Sequence, residues 1–169
     1  MTKSMKVALS LAAVAALAAC DPVQDQKTAS LGDEAPGVRK GPTHRPGQPC
    51  TWCHDGALFD PPAFSVAGTV FESPSKLVGV SGATVTMTDS AGKSYQTTSN
   101  EVGNFYVTPD QWTPHFPIPT TVIEYSQRKI TMYSEISWSS SCAECHGLTA
   151  GPSSPGPVVV ELDDGGVAP

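Results

Sequence analysis

Charge is scarce in this chain of 169 residues: Lys, Arg, Asp and Glu together make up 15% of it, and aromatic residues 7%. So low a charge content excludes a disordered acidic tail or a long solvated helix as the whole story. Basic residues are the scarcer sign, 10 Lys and Arg against 16 Asp and Glu for a net charge of −6. No basic patch exists to displace counterions from phosphate, which excludes nucleic acid as a partner. The GxxxxGK(S/T), GxGxxG and HExxH patterns are absent, and with them the usual nucleotide and metalloprotease motifs. No solenoid-type repeat occurs, and no Ser-His-Asp set or paired carboxylate is recognisable in the sequence. Proline (16), glycine (15) and cysteine (5) are what the chain has instead. Its length suits one ordinary domain with tails.

Lys3 and Lys6 precede a small and apolar run from Val7 to Ala19, broken only by Ser10. A charged start and a run this short predict a signal peptide over residues 1–19, not a membrane span. The run ends in Leu17-Ala18-Ala19-Cys20, which resembles the lipobox of bacterial lipoproteins. The resemblance implies that Cys20 is acylated and becomes the mature N-terminus, tethering the chain to a membrane surface of the bacterial cell envelope, on its periplasmic or outer face. Ordinary cleavage near Ala19 is the alternative. Losing Lys3 and Lys6 would leave eight basic against sixteen acidic side chains. Residues 20–43 carry no apolar period and read as a flexible linker behind the anchor.

One short pattern occurs twice, Cys50-Thr51-Trp52-Cys53-His54 and Cys142-Ala143-Glu144-Cys145-His146. CxxCH is the attachment signature of c-type haem. Two thiols add to the porphyrin vinyl groups and the adjacent imidazole becomes the proximal iron ligand. The spacing is demanding, because both sulfurs must reach one porphyrin edge while the next ring turns beneath the iron. The sequence therefore predicts two covalent haem c groups, held by Cys50, Cys53, Cys142 and Cys145 with His54 and His146 as iron ligands. Two readings stand beside it. A zinc site would have to span the 88 residues between the pairs, long for a zinc ribbon. Local disulfides, or thioredoxin-like redox chemistry, suit an oxidising compartment. Neither requires a histidine after both pairs.

Between the motifs, alternation dominates. Ala83, Val85 and Met87 alternate with Thr84, Thr86 and Thr88, and Phe64 to Val70 alternates in the same way. Turns at Asp89–Gly92 and Asn100–Gly103 separate further short strands at 94–99 and 104–107, followed by strands at 120–125 and 129–133. A last strand is expected at Val158–Leu162. This predicts a mainly β fold, a small antiparallel β-sandwich over residues 64–136, with helix confined to short turns beside the haem sites. The haem sites occupy 44–63 and 137–150, and 151–169 forms the final strand and tail.

Gly68-Thr69-Val70, Gly79-Val80 with Ala83-Thr84-Val85, Asp89 to Gly92 and Gly103-Asn104-Phe105-Tyr106 resemble the carboxypeptidase-regulatory-like (prealbumin-like) β-sandwich. With the flanking CxxCH motifs and the His44-to-Pro49 approach, the chain is similar to small exported multihaem cytochromes that carry this sandwich. The resemblance covers roughly His44 to Leu162 and implies electron transfer with redox proteins rather than catalysis. A small haem peroxidase would need an open iron and a distal acid–base group. A non-redox binding module, its CxxC pairs serving as disulfide staples or a metal site, is the reading of a different class.

Each iron needs a second axial partner or stays open. His44, six residues before Cys50 and part of the resembling motif, is the candidate at one iron. Met132, ten residues before Cys142, is the candidate at the other, although its phase with Ile130 and Ile136 also suits core packing. Met87 falls in core phase. His115 sits in a loop, as an alternative. Trp52, Trp112 and Trp138 are expected to pack apolar surface, and Glu144 to face solvent.

Overall fold

The computed structural model of the chain describes residues 22–34, 36–56 and 62–160. The expected signal segment, the anchor Cys20 and the Leu162 end of the expected final strand lie outside the described residues. Among those described are β1 (Val66–Thr69), β2 (Phe71–Ser73), β3 (Lys76–Gly79), β4 (Thr84–Thr88), β5 (Ser94–Thr98), β6 (Asn104–Val107), β7 (Thr120–Tyr125) and β8 (Arg128–Met132). Pairing is antiparallel throughout: β1 with β6, β2 with β3, and a four-stranded sheet in the order β5-β4-β7-β8. The fold is mainly β with little helix, in keeping with the small sandwich expected.

The β4 alternation works as the pattern dictates. Val85 and Met87 are buried while the three threonines stay half-buried, and β-branched residues favour the pleated strand. Val66 from β1 and Phe105 and Val107 from β6 meet Val85, Met87 and Ile123 from the four-stranded sheet. Trp112, Ile118 and Val160 complete that core. The Asp89 turn closes the β4–β5 hairpin. Its Oδ1 accepts from the backbone N–H of Ala91 (3.0 Å) and Lys93 (2.9 Å), and Oδ2 from His115 N–H (3.1 Å). Burial would push this carboxyl up, but the three N–H donors outweigh it and hold it below the ordinary value. At the other turn Gly103 adopts φ +82°, and a Cβ there would run into the Val70 carbonyl. Only glycine suits both demands.

Four features differ from the sequence expectation. Residues Pro22–Ser30, read as flexible linker, form a helix, α1. Proline opens it at the position where no N–H is needed, and Gly32 at φ +67° follows its end. It lacks an apolar stripe, which is why no period announces it. The chain contacts divide after Asp33, not at residue 43, because Pro42 O accepts from Asn100 Nδ2 (2.6 Å) and Asn104 Nδ2 (3.3 Å). The strand β3 was not anticipated; its Lys76, Leu77 and Val78 are exposed, so burial leaves no pattern there. The described part of the expected strand, Val158 to Val160, is a parallel bridge of Val159 to Phe71, fixed by Phe71 N–H to Val158 O (2.8 Å) and Val160 N–H to Phe71 O (3.0 Å).

Candidate functional site

Alternation predicts one buried face for β1, yet all four of its residues are buried. Turns carrying the two cysteine motifs account for the second face. Cys50–Trp52 and Cys142–Glu144 each form one turn of 3₁₀ helix, and both contact β1. Ala67 N–H donates to Ser140 O (2.9 Å), and Ala67 bridges Ser141 in parallel fashion. At Gly68 a Cβ would stand 2.8 Å from Cys142 Sγ and 2.9 Å from Phe105 Cζ, so the bare backbone lets the second turn approach.

The turns share one hydrogen-bond pattern. Cys50 O accepts from the N–H of Cys53 (3.2 Å) and His54 (3.0 Å); Cys142 O accepts from Cys145 (3.2 Å) and His146 (2.8 Å). Their histidines are held alike as well. His54 Nδ1 lies 2.7 Å from Pro62 O, and His146 Nδ1 lies 3.0 Å from Gly156 O. A carbonyl can only accept, so each Nδ1 carries the proton in the neutral ring and each Nε2 keeps its lone pair. That is the tautomer a metal-binding imidazole needs, oriented by a backbone acceptor.

The four cysteines stand as free thiols. Burial pushes the Cys50 thiol up to about 11. Cys142 is pushed up to about 12, by burial first and then by the nearby Cys50. The two motifs are therefore neighbours. Raised thiols are the opposite of the lowered ones that thioredoxin-like attack requires. Among the described residues no three His, Cys, Asp or Glu side chains converge as a metal-holding cluster.

Around the second motif the fold opens. A cavity of about 620 Å³ is lined by Cys142, Cys145 and His146 together with Met132, Ile130 and Ile123, with Val66, Phe105 and Pro157 among its apolar walls. Its size falls in the range of pockets that take a cofactor. Met132 thus lines the same cavity as the second CxxCH, whereas Met87, 1% exposed, is core. Two large aromatic side chains, Tyr133 (91% exposed) and Trp138 (75%), stand on the same lining. Trp112, at 1%, fills the core, one of the places expected for these tryptophans, while Trp138 lines the cavity.

At the first motif the His44 and His54 rings lie 5.9 Å apart between centroids, planes at 82°. Phe64 stacks on His54 at 4.0 Å, and Tyr106 on Phe64 at 4.6 Å. The His44 loop is pinned from below: Asn104 Nδ2 donates to His44 O (2.9 Å), Thr69 Oγ1 to Asn104 Oδ1 (2.7 Å), and Gly47 N–H to Thr69 Oγ1 (2.8 Å). Glu34 Oε2 lies 3.6 Å from His44 Nδ1 and 3.4 Å from Arg45 Nε. His115 is placed elsewhere, exposed beside the Asp89 turn. Glu144 does not simply face solvent; it is half-buried and accepts from Trp52 Nε1 at 2.6 Å. No sequence signal marks that contact, since its partners stand 92 positions apart.

No family model matches the chain, and neither does any curated protein or solved structure.

Proposed function

We propose that this protein is a dihaem c-type cytochrome, a single-electron carrier tethered to the cell envelope through a lipid on Cys20. The observation that carries the reading is the apolar cavity beside Cys142, Cys145 and His146, with the Met132 thioether in its wall. Haem c, when bound, supplies a one-electron couple at its iron. Everything else is the work of this chain. Cys50 with Cys53, and Cys142 with Cys145, offer thiols three residues apart on a tight turn, the spacing for two thioether bonds to one porphyrin edge. His54 and His146 present Nε2 lone pairs because their Nδ1 protons are committed to Pro62 and Gly156. His44 is the distal candidate at the first iron and Met132 at the second. The valine, isoleucine and proline side chains of the cavity exclude water and lower the local dielectric, which tunes potential. The anchor rests on the lipobox-like approach to Cys20 alone.

The chain should be expressed whole with a haem-maturation system. The reading expects a reduced spectrum of c-type cytochrome and two haem additions by mass that survive acid-acetone extraction. A product without a Soret band, with Cys50–Cys53 or Cys142–Cys145 disulfides, would leave the non-redox binding module instead. Membrane fractionation of the Cys20→Ser variant tests the tether: a soluble product or retained precursor supports it, and a fully soluble wild type refutes it.

A further inference from the structure

Both CxxCH motifs use their third residue in a way that haem attachment does not require. Trp52 holds that position in the first motif and Glu144 in the second, and Trp52 Nε1 donates to Glu144 Oε1 at 2.6 Å. The carboxylate is held from its other side too. Ser139 Oγ, in a buried residue, lies against Glu144 Oε2 and accepts from Ser141 N–H at 3.2 Å. A charged acceptor gives the Trp52 bond more strength than a neutral pair would have. The flanking loops meet as well, since Gly47, ahead of the first motif, packs against Leu148, behind the second. Two turns that share the strand β1 are thus also tied to each other by side chains.

We infer that Trp52 and Glu144 are a positioning pair that docks the two motif turns face to face, so that the two haem sites form one coupled unit instead of two independent ones. This rests on the dihaem reading above. Neither residue is a candidate iron ligand. Its effect is to fix the separation and mutual orientation of the sites, and at fixed short range a charge at one site shifts the potential of the other. Ser139 sets the carboxylate, the carboxylate sets the indole, and the indole sets the first turn.

Trp52→Phe keeps a ring but removes the donor; Glu144→Ala removes the acceptor; Glu144→Gln keeps an acceptor oxygen without charge. Each holoprotein is measured by haem mass, by redox titration, by circular dichroism in the Soret band, and by amide exchange at Cys145 and His146. Wild type is expected to show a Soret couplet from two interacting haems. Trp52→Phe and Glu144→Ala should collapse the couplet, change the spacing of the two titration steps, and speed amide exchange in the second turn about tenfold. Glu144→Gln should keep the couplet and the slow exchange. Should Trp52→Phe fail to mature, Ser139→Ala, which leaves both partners in place, should give a weakened couplet. Two haems with a native couplet and native spacing in Glu144→Ala and Ser139→Ala would overturn the coupling while leaving the cytochrome reading intact. A wild type without covalent haem would overturn both.

Discussion

At Cys142–His146 the motif opens on an apolar cavity with a thioether in its wall; at Cys50–His54 the His54 ring meets a second imidazole and a stack of aromatic rings. The two turns themselves are nearly interchangeable, down to the carbonyl that accepts twice and the Nδ1 that donates to backbone. What differs comes from outside the five-residue pattern. β8 carries Met132 to the second motif, and the Thr69–Asn104 pair carries the His44 loop to the first. In the proposed dihaem protein, the five-residue pattern would supply the proximal ligands and the sandwich would position the distal candidates. Because thioether ligation raises a haem potential relative to paired imidazoles, one scaffold would hold two different potentials.

The most severe way to break this contrast is to remove one side. Cys142→Ser with Cys145→Ser should leave one haem mass of two, with the spectrum of the imidazole site alone. Next come changes in what lies between. Met87→Ala should cost about 2–5 kcal/mol of stability by opening a core void, read by thermal unfolding, with both potentials unchanged. Gly68→Ala forces a methyl against Cys142 and Phe105 and should cost about 1–3 kcal/mol, disturbing the second site more than the first. Met132→Ala sharpens the comparison. It should abolish the weak charge-transfer band at the red end of the oxidised spectrum and lower one midpoint only. If it changes stability alone, Met132 is packing. His44→Ala should keep that band and open the other haem to cyanide.

The smallest effect tests a place remote from both sites. Asp89 has its carboxyl held below the ordinary value of 3.8 in the folded chain. A lowered folded value means the contribution is complete above the unfolded value and is lost as pH falls through the folded one. Acid unfolding followed by circular dichroism should show this dependence, and Asp89→Asn should remove it without touching either spectrum.

Legibility followed burial. β4 could be read because Val85 and Met87 face the core while threonines do not, and β7 and β8 because β-branched residues cluster there. β3 could not, since its residues are exposed at the edge of a two-stranded sheet. Helix α1 could not, because a helix polar all round has no period. β1 misled in a more useful way: its alternation promised a wet face that the cysteine turns cover. At the candidate site, CxxCH pointed to six residues, and Met132 was a candidate from its place ten residues before Cys142 together with the family resemblance. The Nδ1 acceptors and the Trp52–Glu144 bond were not, because backbone carbonyls carry no sequence signature and a pair 92 positions apart carries no period.

The bridge from Ala67 to Ser141 joins residues 74 positions apart, and this sets an order of events in time. Local turns at Asp89 and Asn100 close cheaply and early, whereas so long a loop is closed only once nearer contacts have shortened it. The strand β1 must first find β6, whose register runs from Val66 with Val107 to Thr69 with Asn104. Until then the Cys142 turn has no floor to rest on. Docking on β1 then half-buries Cys142 and leaves Cys145 exposed, so the second turn is the last part of this face to be fixed.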